Sequence, residues 1–168
     1  VIVIDPPWPM KKIERAERPN QGVTLDYPVL TLDQIADEDI VPVRRHADDD
    51  CHIYLWVTHK FLRPGLDLLD AWGFRYQCVM TWRKNVGITP FSWMYDTEHV
   101  LFGTRGNLPL ERKGLRLSFE APVVGHSVKP DVFYERVTEA SPGPRVEMFA
   151  RRQRAGFEAW GNEVADAV

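Results

Sequence analysis

An acid, two prolines and a tryptophan, Asp5-Pro6-Pro7-Trp8, follow directly on the run Val1-Ile2-Val3-Ile4. Four β-branched residues in succession read as a strand buried on both faces, as in a parallel sheet. In open α/β sheets, ligands sit beyond the carboxyl ends of the strands, which is where this acid falls. Each of the four residues has a chemical use there. Asp5 supplies an acceptor. Pro6 and Pro7 fix φ and lack an N–H, so their carbonyls can be held rigidly toward a ligand's donors. Trp8 offers a flat face for stacking. Together they suit a planar heterocycle with an exocyclic amino group. The plainer alternative is a rigid turn with a core tryptophan.

The elements that would position these groups follow in order. Residues 9–24 are polar, net basic and bounded by prolines, and read as a long loop over the site. Thr31 with Gln34 is a capping-box pattern opening a short helix. Asp48-Asp49-Asp50 reads as a solvated turn. Cys51 to Val57 is a second buried strand whose carboxyl end should lie near Asp5. Thr58 can cap the next helix, in which Phe61, Leu62, Leu66 and Leu69 share a face and which Gly73 ends. Phe74–Trp82 and Glu98–Gly103 are further strands. Between them, residues 83–96 interleave Arg83 and Lys84 with Trp93 and Tyr95, a mix that suits phosphate and bases. Residues 104–125 read as a long excursion, a hairpin being one form of it. Lys129-Pro130-Asp131 opens a helix with Val132, Phe133, Val137 and Ala140 toward the core. Arg145–Arg151 is a final strand, ending at Arg151-Arg152.

The 168 residues suggest one domain, 1–168, and at 44% hydrophobic they can bury a proper core. The six tryptophans raise the odds of a site built on stacking. A net charge of −3 excludes a global basic field, but the charge is uneven. Residues 33–50 carry seven acids against Arg44 and Arg45, whereas residues 104–116 set Arg105, Arg112, Lys113 and Arg116 against Glu111. Cys51 and Cys78 make neither a zinc site nor a disulfide framework, and point to a reducing cytoplasm. No apolar run approaches a membrane span and none resembles a signal segment. A first residue inside a strand predicts further residues upstream.

Asp5-Pro6-Pro7-Trp8 resembles the amino-methylation motif of S-adenosylmethionine-dependent adenine methyltransferases. Its company resembles the MT-A70 family, in bacterial or phage form. The matching pieces include Leu55-Trp56-Val57-Thr58, Trp72-Gly73-Phe74, Thr81-Trp82-Arg83-Lys84 and Glu98-His99-Val100-Leu101. Further on come His126-Ser127-Val128-Lys129-Pro130, Arg145-Val146-Glu147-Met148-Phe149-Ala150-Arg151 and Trp160-Gly161-Asn162-Glu163. They fall in the family's order from Asp5 to Glu163.

The resemblance implies a Rossmann-like class I methyltransferase fold: α/β, a mostly parallel sheet with helices on both faces, and the Asp-Pro-Pro-Trp strand placed before the cofactor strand. It implies S-adenosylmethionine as cofactor, with Lys129 on its carboxylate, Arg151 on its ribose hydroxyls, and Asn162 and Glu163 on the ribose or adenine edge. Asp5 belongs to this set as well as to the catalytic group Asp5, Pro6, Pro7 and Trp8. Side chains replace the glycine-rich turn that most such folds carry after the cofactor strand. The family's adenine-reading aspartate would lie upstream of Val1.

The reaction expected is methyl transfer to the 6-amino group of adenine in nucleic acid. The amine's lone pair is delocalised into the ring. Asp5 and the Pro6 carbonyl, accepting from its two protons, would localise that pair and aim it. No metal is needed. A flipped adenine would stack on Trp8. Lys11, Lys12, Arg15, Arg83, Lys84, Trp93 and Tyr95 are the candidate nucleic-acid contacts. DNA is favoured over RNA, since no RNA-binding zinc-finger pair is present in the sequence. The expected setting is the cytoplasm of a prokaryotic or phage-infected cell, with no membrane partner, and with homo- or heterodimerisation left open. The alternatives are an RNA adenosine methyltransferase and a non-catalytic nucleic-acid-binding partner subunit.

Overall fold

The computed structural model describes residues 1–10, 29–85, 92–125 and 128–161. Among the described residues seven strands form one sheet: β1 (Ile2–Ile4), β2 (Cys51–Val57), β3 (Arg75–Lys84), β4 (Thr97–Arg105), β5 (Ser118–Ala121), β6 (Val146–Met148) and β7 (Glu158–Trp160). Their order is β5-β3-β4-β2-β1-β6-β7. β1 pairs in parallel with β2 and β6, placing Ile4 beside Leu55 and Met148. Only β4 runs against the others, pairing antiparallel with β2 and β3. The sheet is therefore mixed but mostly parallel, and β1 lies inside it, as its unbroken β-branched run requires.

The period of two divides the core. Ile2, Ile4, Ile53, Leu55 and Val57 pack on one face against Ile35 of α1 (Leu32–Ala36) and Phe61, Leu68 and Leu69 in and before α3 (Leu62–Ala71). Val3, Tyr54, Trp56, Val100 and Phe102 pack on the other against Phe133, Tyr134 and Val137 of α4 (Asp131–Ala140). Helices thus cover both faces. The short α2 (Val43–His46) precedes β2.

Local chemistry sets most boundaries. Thr31 and Gln34 form both bonds of the capping box that opens α1. At the end of α3, Gly73 takes φ +79, and the Gly73 and Phe74 amides donate to the Asp70 and Leu69 carbonyls. These are the two bonds of a Schellman motif, which glycine permits at no steric cost. Several features differ from those read in the sequence: β3 runs on to Lys84, and the strand within 145–151 is not the final one, since β7 follows and pairs with it. Thr58 makes no capping bond, and the 3-10 turn His59–Phe61 intervenes before α3. β6 ends at Met148 because Phe149 turns into the left-handed region at φ +62. Residues 104–125 form no hairpin: β5 pairs in parallel with β3, adding an edge strand. Among the described residues, no helix is long and apolar enough to cross a membrane.

Candidate active site

Asp5 follows β1 on the face that Val3 shares with Trp56. Lys129, two residues before α4, reaches over that face. Its ammonium lies 3.3 Å from Asp5 Oδ2, 3.1 Å from Glu98 Oε2 and 4.7 Å from the centre of the Trp56 ring. Glu98 Oε1 in turn lies 3.5 Å from the ammonium of Lys84. Four alternating charges thus run from the carboxyl end of β1, past the amino end of the antiparallel β4, to the carboxyl end of β3. Lys129 and Lys84 are 12% and 16% exposed, and Glu98 20%, so this chain is largely withdrawn from water. Asp5 is the most open member at 26%.

These surroundings set the proton affinities. Burial raises the pKa of Asp5, and the Glu98 carboxylate adds to the rise, while Lys129 and Arg151 counter part of it. Burial alone would lower Lys129, but the two carboxylates more than offset it, and its pKa is raised. The ammonium is therefore held charged beside an acid that is more basic than usual.

The proline turn is rigid from both ends. The Pro6 carbonyl accepts from Trp8 N at 2.8 Å, and the Pro7 carbonyl accepts from Leu30 N at 2.9 Å. Each keeps a second lone pair, since a carbonyl oxygen has two. Trp8 corrects the expectation of an open stacking face. Its ring is 6% exposed and lies flat on Phe61, with centroids 4.8 Å apart, and its Nε1 donates to Trp56 O at 3.0 Å. An amphipathic indole next to a core has more to gain from burial with its N–H satisfied than from exposure. The tryptophan thus fixes the turn, and adenine stacking on it is withdrawn.

The cofactor half shows how side chains stand in for glycine. Phe149 occupies the left-handed conformation that a glycine turn would supply, at a cost of about 1–2 kcal/mol. Trp160 O holds it there by accepting from Phe149 N at 2.7 Å and Ala150 N at 3.2 Å. Gly161 takes φ +148, and a Cβ there would meet Phe149 Cα at 3.1 Å. Arg151 follows this turn and its charge reaches Asp5. Asn162 and Glu163 lie outside the described residues. Two buried polar atoms at the end of β2 on the side of Asp5, Trp56 Nε1 and Thr58 Oγ1, have no hydrogen-bond partner among the described residues. A lysine, an arginine and unfilled donors beside a partly open acid fit an anionic, hydroxyl-bearing ligand.

The candidate nucleic-acid contacts separate. Lys11, Lys12 and Arg15 lie outside the described residues, as does the middle of the second loop. Arg83 and Lys84 are not in a loop: both belong to β3. Arg83 is 65% exposed and pairs with Glu120 at 3.0 Å. Lys84 turns inward to Glu98, so it joins the charge chain and is withdrawn as a surface contact. Trp93 and Tyr95 are 86% and 57% exposed, consistent with open aromatic faces. Glu98 is the residue that sequence reasoning passed over. The signal was present, an acid two residues before the buried run Val100-Leu101-Phe102, but its partners come from β3 and from the approach to α4, far away in sequence.

The sheet order and the acid at the end of an interior strand define a Rossmann-like α/β fold with its site at the strand ends. The chain belongs to the MT-A70 family, whose model matches residues 1–163. It is 28% identical to the type II methyltransferase M.MunI of a Mycoplasma species, over 99% of this chain and 78% of that protein. It is 30% identical to the human N(6)-adenosine-methyltransferase catalytic subunit METTL3, over 90% of this chain but 25% of METTL3. It is also 28% identical to the mouse N(6)-adenine-specific methyltransferase METTL4, over 97% of this chain and 37% of METTL4.

Proposed function

We propose that this protein transfers a methyl group from S-adenosylmethionine to the 6-amino group of adenine in nucleic acid, with DNA as the favoured substrate. The observation that carries the reading is Asp5, partly open at the end of an interior strand and in contact with Lys129. When bound, S-adenosylmethionine supplies an electrophilic methyl group. Lys129 would hold its carboxylate: an ammonium has three donors, of which Asp5 and Glu98 take two. Arg151 would meet the ribose hydroxyls, with Asn162 and Glu163 on the ribose or adenine edge.

Asp5 accepts from one proton of the adenine amine, and the second lone pair of the Pro6 carbonyl from the other. These two acceptors concentrate the nitrogen lone pair and set its direction. The acid's raised proton affinity strengthens it as an acceptor as positive charge develops on the amine, and it can take the proton released. Trp93, Tyr95 and Arg83 are the surface groups of the described chain suited to hold a strand of bases and phosphates. The preference for DNA leans on the likeness to a type II methyltransferase, which aligns with 99% of this chain.

The test is incubation with methyl-labelled S-adenosylmethionine and matched DNA and RNA oligonucleotides, followed by nucleoside analysis. Label in 6-methyldeoxyadenosine supports the reading. Label only in the ribonucleoside moves the substrate to RNA, and no transfer with intact cofactor binding leaves a non-catalytic partner subunit.

A further inference from the structure

The segment after β6 is laced to α4 by two arginines on Asp131, the exposed Arg152 and the mostly buried Arg154. Arg154 is 16% exposed in its side chain, and its Nη1 donates to Asp131 Oδ1 at 2.7 Å. Its Nε lies 3.8 Å from Glu147 Oε2 in β6, and its guanidinium carbon lies 3.5 Å from the centre of the Tyr134 ring. Tyr134 donates its hydroxyl to Glu147 Oε1, which completes a ring of contacts among α4, β6 and the loop. Phe157 packs edge-on against the same tyrosine, and its amide donates to Arg154 O at 3.1 Å.

The position of this clasp matters more than its strength. Asp131 opens α4, two residues after Lys129, and Arg154 lies three residues after Arg151. The two segments assigned above to the carboxylate and the ribose of the cofactor are therefore tied to each other through Arg154. A glycine-rich turn shapes a cofactor cradle with backbone alone. Here the turn at Phe149 is held by Trp160, and the loop beyond it needs its own anchor.

We propose that Arg154 is a positioning residue that holds the Arg151 loop against the start of α4, so that Lys129 and Arg151 present one preformed cofactor site. This rests on the cofactor reading given above. Preorganisation of this kind acts on binding, because a loop already ordered need not be ordered by the ligand.

The experiment is calorimetric titration of the whole protein with S-adenosylhomocysteine. Arg154→Met keeps an apolar stem over Tyr134 and removes the ionic contacts, and should raise Kd roughly tenfold, the lower end of what a charge-assisted contact is worth. Arg154→Lys should recover part of that loss. Asp131→Asn cuts the clasp from its solvent side, where the carboxylate is 64% exposed, and should weaken binding in the same direction. The double variant should bind no more weakly than Arg154→Met. Arg152→Ala removes only the exposed contact to Asp131 and should leave Kd within twofold. With saturating cofactor, kcat should stay near wild type while KM for the cofactor rises, a split that general damage would not give. A folded Arg154→Met protein with unchanged Kd overturns the proposal. If that variant does not fold, Asp131→Asn decides, and an unchanged Kd there overturns it equally. Wild type that fails to bind overturns the cofactor reading, and this inference with it.

Discussion

Replacing Glu98 by Gln keeps the shape of the side chain and removes its charge. Glu98 stands between Lys129 at 3.1 Å and Lys84 at 3.5 Å, all three mostly withdrawn from water. At an effective dielectric near 20, unit charges at the closer distance attract by roughly 5 kcal/mol before desolvation is counted. The amide oxygen of Gln still accepts one hydrogen bond, which returns part of that. What remains is Lys129 on Asp5 alone and Lys84 deprived of its partner carboxylate, a net cost of about 2–3 kcal/mol, toward the low end for a broken buried pair. In a chain of this size that corresponds to a fall in Tm of about 5–10 °C. Thermal unfolding followed by tryptophan fluorescence reads it, since Trp56 lies under Lys129 and Trp82 near Lys84. The double variant Glu98→Gln, Lys129→Gln should lose less than the sum of the two single losses, because the pair is removed together. The charge has a second signature. Glu98 raises the proton affinity of Asp5, so its neutralisation lowers it, and the acid limb of the methylation rate should move to lower pH. A Tm within about 1 °C of wild type, together with an unmoved acid limb, would refute the assignment of Glu98 to this charge chain.

Trp8→Ala should destabilise by about 3–5 kcal/mol in urea unfolding, the cost of emptying a large buried aromatic site, whereas an exposed stacking residue would cost almost nothing. Gly65→Ala should destabilise by about 1–3 kcal/mol despite alanine's better helix propensity, because its Cβ would meet Val57 Cγ1 at 2.7 Å and Leu101 Cδ1 at 2.9 Å. His52 is buried against Ser141 Oγ and Leu108 O, both at 2.8 Å, and burial lowers its pKa. The unfolded chain therefore takes up the proton first, so the stability it contributes is fully present above the ordinary value of 6.5 and is lost as pH falls below it. Urea midpoints at pH 7.5 and 5.5 should show this, and His52→Asn should flatten the difference.

How much was legible depended on whether the signal was local. Cys51–Val57 was readable to the residue because a strand buried on both faces needs a continuous apolar run, and its neighbours forbid one. The capping box of α1 was equally local. β5 was not legible: Ser118-Phe119-Glu120-Ala121 offers one buried aromatic, and its pairing with β3 is a long-range event. Trp8 could be read two ways because indole suits both a core and a ligand, and only Phe61, reached through β2, decides between them. Lys84 looked like a loop cation because β3 continues past Trp82. The acid of the site was legible from its strand end, while Glu98, which sets its charge environment, was placed by folding alone.

The most direct measurement compares wild type and Asp5→Asn for transfer of labelled methyl from S-adenosylmethionine to an adenine-containing oligonucleotide, with S-adenosylhomocysteine affinity measured in parallel. Asn fills the same volume at a strand end outside the packed core, so the fold and most of the cofactor affinity should survive. Wild type should yield 6-methyladenine, and the variant none above background. A folded Asp5→Asn protein that still methylates at more than a small fraction of the wild-type rate would contradict it.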